Sequence, residues 1–153
     1  MSSLSPAQRR AVDWAKEELV KAAEELLDKA EVHPSDDFGH SQLRNLEAVA
    51  AETESPAVVL NFIRYQMGRD QRDRKSWAQG LEGQRLGDRL ITDLGEEKGA
   101  VAAALAKIPD LEGEPIAEQL ARMELIRYFL GFATRYMKYL ELKLGKRKKE
   151  KRL

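Results

Sequence analysis

The chain has 153 residues, a length that suits one domain, and 42% of them are hydrophobic, enough to form a core. It contains no cysteine, which excludes a disulfide framework, a thiolate metal site and a thiol nucleophile. The formal net charge is zero, yet residues 1–54 carry 6 basic and 12 acidic groups, whereas residues 145–153 carry 6 basic and 1 acidic group. A neutral total therefore does not exclude a polyanionic partner, because binding responds to local patches.

Ala, Leu, Glu, Lys, Arg and Gln dominate the composition, so helix propensity is high along most of the chain. No segment alternates apolar and polar residues for long enough to indicate a strand. We predict an all-α fold, a compact bundle of five to six helices with a long C-terminal helix. The bundle is expected to span residues 1–144 as a single domain, and the basic tail at 145–153 is expected to be disordered when free because its like charges repel.

The first predicted helix begins at Ser5, which is suited to cap it. Pro6 follows at the first helical position, and Gln8 is placed to complete a capping box. Ala11, Ala15, Leu19, Ala22, Leu26 and Ala30 then recur at intervals of three or four residues and predict the buried face. The helix must end before Pro34, because the residue preceding a proline avoids the helical region.

Three further helices are predicted before the long one. One spans about residues 41–54, the next begins at Pro56 and reaches Arg69, and a short alanine-rich helix spans 96–108. The intervening segment at 76–95 contains several glycines, each of which costs a helix about 1 kcal/mol relative to alanine. That segment is therefore expected to be broken or frayed.

Pro115 opens the longest predicted helix, which reaches about Leu144. Two adjoining apolar bands cover about half of its circumference, which suits a central helix contacted by several others. The remaining strip is small and basic: Arg127, Gly131, Thr134, Arg135 and Lys138. It is interpreted either as a surface that a polyanion approaches or as the ordinary polar face of a bundle helix.

Five cations lie close together near the end of the third predicted helix: Arg64, Arg69, Arg72, Arg74 and Lys75. Tyr65, Arg69 and Arg72 share one helical stripe. An aromatic ring beside guanidinium groups is suited to contact a nucleic-acid backbone. The alternative is a solvated helix end whose arginines pair with Asp70, Asp73 or the acidic first helix.

Other residues give weaker indications of chemistry. His33, Asp36, Asp37 and His40 have ligand-capable side chains, but Pro34 and Gly39 indicate a plain turn, so we expect no metal site. No nucleophile elbow, phosphate loop or paired-carboxylate motif is present, and we expect a protein that is not an enzyme and needs no cofactor. No apolar run approaches membrane-spanning length, so we expect a cytoplasmic protein without a membrane partner.

The last helix also holds half of the aromatic residues: Tyr128, Phe129, Phe132, Tyr136 and Tyr139. Their helical spacing is more typical of a core or a protein interface than of a base-stacking platform. An alternative function is therefore a helical adaptor whose aromatic last helix and basic tail bind a partner protein.

Three ordered motifs together resemble the small subunit of CRISPR type III-A (Csm) effector complexes. They are Ser41-Gln-Leu-Arg44 at a helix start, Phe62-Ile-Arg-Tyr65 with Gly68-Arg69, and Phe129-x-x-Phe132 followed by Tyr136 and Tyr139. The similarity in order and spacing extends from about residue 38 to residue 142.

The resemblance implies a non-catalytic scaffold that stacks in several copies along the crRNA–target RNA duplex, head to tail, beside other effector subunits. It places RNA contacts at Gln42, Arg44, Arg64, Arg69 and Arg127. The residues themselves add Tyr65, Arg72, Arg135 and Lys138 to the candidate RNA-binding set. Protein contacts to the phosphate backbone would suffice there, because base pairing reads the sequence in a guide complex.

Overall fold

The computed structural model describes residues 3–30, 39–70, 76–78 and 83–152, with side chains described as far as residue 143. Within this part of the chain there are six α-helices and one short 3-10 helix, and no strand. The α-helices are α1 (Pro6–Lys29), α2 (His40–Ala51), α3 (Pro56–Asp70), α4 (Leu86–Gly95), α5 (Ala100–Leu105) and α6 (Pro115–Arg152), and the 3-10 helix is Ser76–Ala78. The predicted all-α bundle with a long C-terminal helix is confirmed.

The start of α1 follows the predicted capping box. Ser5 Oγ accepts a hydrogen bond from the backbone N–H of Gln8 at 3.1 Å, and the backbone N–H of Ser5 donates to Gln8 Oε1 at 2.9 Å. Gln8 Nε2 also donates to the carbonyl of Pro109 at 3.0 Å, which ties this end of α1 to the turn before α6. One side chain thus completes the local cap and a long-range contact.

The buried face of α1 lies slightly to one side of the predicted stripe. Ala15, Leu19 and Leu26 are buried as predicted, whereas Ala11 and Ala22 are only half-buried. Val12, Ala23 and Leu27 are buried in addition. The helix is therefore rotated so that the line through Val12, Ala23 and Leu27, rather than the line through Ala11 and Ala22, completes the core face.

The central element of the bundle is α6, against which α1, α2 and α5 pack. Its two apolar bands place Leu125, Ile126, Phe129, Leu130 and Met137 in the core. Contacts between Arg9 and Glu124 and between Asp28 and Tyr136 show that α1 runs parallel to α6. The backbone of α6 continues past the predicted end at Leu144 to Arg152, so it includes chain that the sequence analysis assigned to a disordered tail.

The glycine-rich segment is anchored by apolar side chains. Trp77 is only 2% exposed, and its ring meets Phe62 edge to face at 6.2 Å. Leu86, Leu90 and Leu94 bury one side of α4. Residues 86–95 form a regular amphipathic helix, so the predicted break does not extend into α4.

The short helix α5 begins at Ala100, later than the predicted start at residue 96. Gly99 precedes it and lies against α4, where an added Cβ would meet the backbone of Thr92 and Asp93. The Asp93 carboxylate accepts a hydrogen bond from the backbone N–H of Ala100 at 3.3 Å and so caps the helix. No helix in the described ranges is both long enough and apolar enough to cross a membrane.

Candidate nucleic-acid interface

The helix α2 is held at its C-terminal end by Arg127 of α6. The Arg127 guanidinium donates from Nε to the carbonyl of Ala50 at 2.9 Å and from Nη2 to the carbonyl of Thr53 at 2.7 Å. Nη2 also lies 3.0 Å from Glu54 Oε1. A cation at the carbonyl end of a helix is favoured by the helix dipole. Arg127, which the sequence places among the RNA contacts, thus directs its donors inside the molecule.

The N-terminal end of α2 is held by an acidic residue of α6, the helix that also carries Arg127. Glu141 Oε1 accepts a hydrogen bond from the backbone N–H of His40 at 2.7 Å, where the dipole favours a negative charge. Gln42 Oε1 accepts from the backbone N–H of Gly39 at 2.9 Å, so the amide predicted to contact RNA completes a helix cap. We call Arg127 and Glu141 the α2 clamp. It also shows that α2 runs antiparallel to α6.

Three of the predicted cations remain open on the clamped helix pair. Arg44 is exposed one turn inside α2, and the antiparallel register puts it at about the same height along the helix axes as Arg135 and Lys138 of α6. The Arg135 guanidinium lies 5.9 Å from the Phe132 ring centroid, and Lys138 Nζ lies 3.9 Å from Glu141 Oε2 with 70% of its side chain exposed. We call Arg44, Arg135 and Lys138 the α2–α6 ridge.

The small residues of the predicted strip do not both lie at this surface. Thr134 is only 5% exposed, and its hydroxyl donates to the carbonyl of Leu130 at 2.7 Å. Around Gly131, by contrast, nothing lies within 4 Å of where a Cβ would be. Only Gly131 therefore leaves room beside the ridge.

A second group of cations lies on α3. Arg64, Tyr65 and Arg69 are all exposed, and the Tyr65 ring has 63% of its surface open to solvent. Arg69 Nε lies 3.6 Å from Oδ1 of the half-buried Asp70, while the Arg69 side chain itself stays exposed. Arg64 makes no ion pair with any residue in the described ranges. We call Arg64, Tyr65 and Arg69 the α3 face.

The remaining predicted cations of this group are not part of the described structure. Arg72, Arg74 and Lys75 lie outside the described residues, as does Asp73, their predicted alternative partner. No contact among the described residues joins the α3 face to the α2–α6 ridge. The described candidate residues therefore fall into two groups, one on α3 and one on α2 and α6.

Sequence reasoning missed the cation above Tyr128. Lys16 Nζ, from α1, lies 4.3 Å from the centroid of that ring, and the hydrogen bond that the Lys16 ammonium donates to the Asp13 carboxylate raises the pKa of Lys16. Tyr128 in turn stacks on Phe132 at 6.4 Å. Lys16 and Tyr128 are far apart in the sequence, and only the parallel packing of α1 on α6 brings them together.

The aromatic residues of α6 divide between the core and the surface. Phe129 is buried, whereas Tyr139 is exposed and carries Lys143 at 5.5 Å from its ring centroid. Tyr136 donates its hydroxyl to Asp28 Oδ1 at 2.8 Å, and burial together with that bond raises the pKa of Tyr136 to about 12. Of these aromatic residues, Phe129 therefore packs in the core, Tyr136 bonds to α1, and Tyr139 is open to solvent.

The described residues contain no group of three or more histidine, aspartate or glutamate side chains placed to hold a metal. His33, Asp36 and Asp37 fall outside them, while His40 is the first residue of α2. Burial raises the pKa of the Asp93 carboxyl, which lines a cavity of about 300 Å³ with Glu25, Lys29 and Arg89. The hydrogen bond that this carboxylate accepts from the Ala100 N–H lowers the pKa, so the effect of burial is the larger one.

No protein-family model, curated protein or solved structure matches this chain.

Proposed function

We propose that this chain is a non-catalytic RNA-binding scaffold subunit of a CRISPR type III effector complex. In this proposal several copies stack along the crRNA–target RNA duplex and contact its phosphate backbone. The observation that carries it is the α2–α6 ridge, in which Arg44 and Arg135 are exposed and make no ion pair with another described residue. The motif resemblance supplies the class of complex.

The ridge has the chemistry that phosphate oxygens need. Guanidinium groups donate two parallel hydrogen bonds to a phosphate without reading a base, which suits a protein that binds a duplex of any sequence. The α2 clamp fixes both ends of the helix that carries Arg44 relative to the helix that carries Arg135. Their backbones are therefore held in place before RNA arrives, which reduces the entropy lost on binding.

The α3 face supports the same proposal as a second point of attachment. Arg64 and Arg69 offer two further cations, and the exposed Tyr65 ring offers a stacking surface for an unpaired base. Arg127 and Gln42 are left out of the proposed contact set, since their polar atoms already serve the ends of α2.

The proposed partners also include further copies of this chain and other effector subunits. The acidic segment at residues 1–54 and the cationic surfaces carry opposite charges, so one copy is able to meet the next head to tail. In such an assembly the stacking contact and the RNA contact would reinforce one another through effective concentration.

A helical adaptor for a partner protein remains the second candidate. The observation that favours it is the apolar part of the outer face of α6, where Tyr139 and Leu142 are both exposed. An adaptor would bind its partner through these side chains and the basic tail, and the apolar part of that contact would depend little on salt. The RNA scaffold, in contrast, must lose affinity as salt rises.

The test is binding of a guide–target RNA duplex at several salt concentrations. Replacing both Arg44 and Arg135 by alanine should weaken binding by about tenfold. The same double variant should have a smaller slope of log affinity against log salt concentration, by about one for each phosphate that it no longer neutralises. The matched control is Lys21→Ala with Lys98→Ala, which removes two exposed cations outside both surfaces. Equal weakening in the two double variants would show that the ridge is not the RNA-binding surface.

A further inference from the structure

The most exposed tryptophan of the chain lies beside a groove lined by alanine. Trp14 of α1 has 78% of its surface open to solvent, although tryptophan is usually largely buried. Next to it, α1 and α5 bound an open groove of about 470 Å³. Trp14 forms part of the lining together with Glu18 and Lys107, and the rest of the lining is alanine: Ala11, Ala15, Ala22, Ala100, Ala103 and Ala104. A large apolar side chain and a space suited to such a side chain therefore occur on one patch.

We propose that two copies of this chain form a symmetric dimer through α1, in which Trp14 of each copy docks into the α1–α5 groove of the other. A two-fold axis requires the same patch on both sides, and here the projecting ring and the groove lie side by side. Tryptophan in a fully desolvated pocket is the side chain that most often dominates the energy of an interface. This inference concerns the free protein and does not depend on the proposed RNA contact.

The charges around Trp14 fit the same axis. Arg10, Trp14 and Glu18 are spaced by four residues, so they form one stripe along α1. When two α1 helices pair antiparallel with the two-fold axis beside Trp14 and at its level along α1, Arg10 of each copy faces Glu18 of the other. The stripe is therefore complementary to itself in the antiparallel direction, whereas a parallel pairing would put like charges together.

Both charged groups are free to make this contact. Arg10 is exposed and has no ion pair with another described residue. Glu18 Oε1 lies 3.8 Å from Lys21 Nζ in an exposed pair of little strength. Lys107 of α5, at the end of the groove, adds a second cation near the position that Glu18 of the other copy would occupy. Charge thus selects a second copy of this chain as the occupant of the groove.

The experiment measures the molar mass of the full, nuclease-treated chain by sedimentation over about a hundredfold range of concentration. A monomer–dimer equilibrium is expected, and Trp14→Ala should raise its dissociation constant by about thirtyfold. Ile116→Ala, which trims another exposed apolar side chain at the start of α6, should leave the constant unchanged. A mass that stays at one chain, or that grows steadily beyond two, would overturn the proposal.

Charge reversal separates symmetric pairing from any other contact. Arg10→Glu alone and Glu18→Arg alone should each weaken the dimer by about tenfold, because like charges then face each other. An equimolar mixture of these two variants should associate as tightly as wild type, since both cross-pairs become complementary. The double variant should also dimerise. If neither the mixture nor the double variant regains affinity, the antiparallel pairing is wrong, even if Trp14 matters.

Discussion

Replacement of Arg127 by alanine tests whether this residue is a structural tie or part of an RNA surface. The change removes the donors that serve the Ala50 and Thr53 carbonyls and the partner of Glu54. A hydrogen bond from a charged donor contributes on the order of 1.5–3 kcal/mol. The Arg127 side chain keeps 31% exposure, so water replaces part of this stabilisation. We therefore expect a total decrease of about 2–3 kcal/mol in the free energy of unfolding.

Thermal unfolding followed by circular dichroism measures this decrease. For a domain of this length it corresponds to a fall in Tm of about 5–10 °C. Arg135→Ala is the matched control, because Arg135 lies on the same helix, is exposed and donates no hydrogen bond within the described structure. Its free energy of unfolding should change by less than about 0.5 kcal/mol.

RNA binding by the two variants should show the reverse order. Below its melting temperature, Arg127→Ala should bind a guide–target duplex as wild type does, whereas Arg135→Ala should bind more weakly and with a smaller salt slope. The reasoning is refuted if Arg127→Ala melts within a degree or so of wild type while losing RNA affinity. In that case the guanidinium would serve the ligand and not the end of α2.

Two further predictions concern α4, α5 and α6. Gly99→Ala should lower the free energy of unfolding by about 1–3 kcal/mol, because its Cβ would meet the Thr92 backbone. Gly131→Ala should raise the free energy of unfolding by up to about 1 kcal/mol, since space is open there and alanine favours a helix. Chemical denaturation measures both changes, and a stabilised Gly99→Ala variant would contradict the close approach of Gly99 to α4. The Asp93 carboxyl has a raised pKa in the folded state, so its contribution to stability is fully present below the ordinary aspartate value of 3.8 and is lost as pH rises through the folded pKa. Asp93→Asn should therefore gain stability relative to wild type from acid to neutral pH, and a gap that does not change with pH would contradict this assignment.

The local start signals could be predicted from the sequence because their partners lie within one helical turn. Ser5, Pro6 and Gln8 form the expected cap, and Pro56 and Pro115 begin the expected helices. Proline fixes its own backbone dihedral wherever the rest of the chain lies. These positions therefore needed no knowledge of the tertiary fold.

The role of Arg127 could not be predicted in the same way. On a helix diagram it occupies the same basic strip as Arg135 and Lys138, and no local feature distinguishes them. Only the position at which α2 ends, beside the turn of α6 that carries Arg127, determines which arginine is used inside the molecule. Burial of Val12 rather than Ala11 has a similar cause, since neighbouring helices set the rotation of α1.

The sequence predicted that these candidate RNA residues are exposed cations, but it did not predict how they are arranged in space. Arg44, Arg64, Arg69, Arg135 and Lys138 are all exposed, as a phosphate contact requires. Their division between two surfaces depends on where α3 and α6 lie about α2, which residue spacing does not specify. Their binding of RNA stays a prediction.

The α2 clamp favours one direction of α2 along α6. An acid and a base set on one helix, each matched to one pole of its neighbour, give that neighbour a preferred direction. If α2 were inserted end for end, the carboxylate would confront carbonyl oxygens and the guanidinium would confront amide protons. The two charged residues therefore favour the antiparallel direction of α2 by electrostatics, in addition to whatever its apolar side chains prefer.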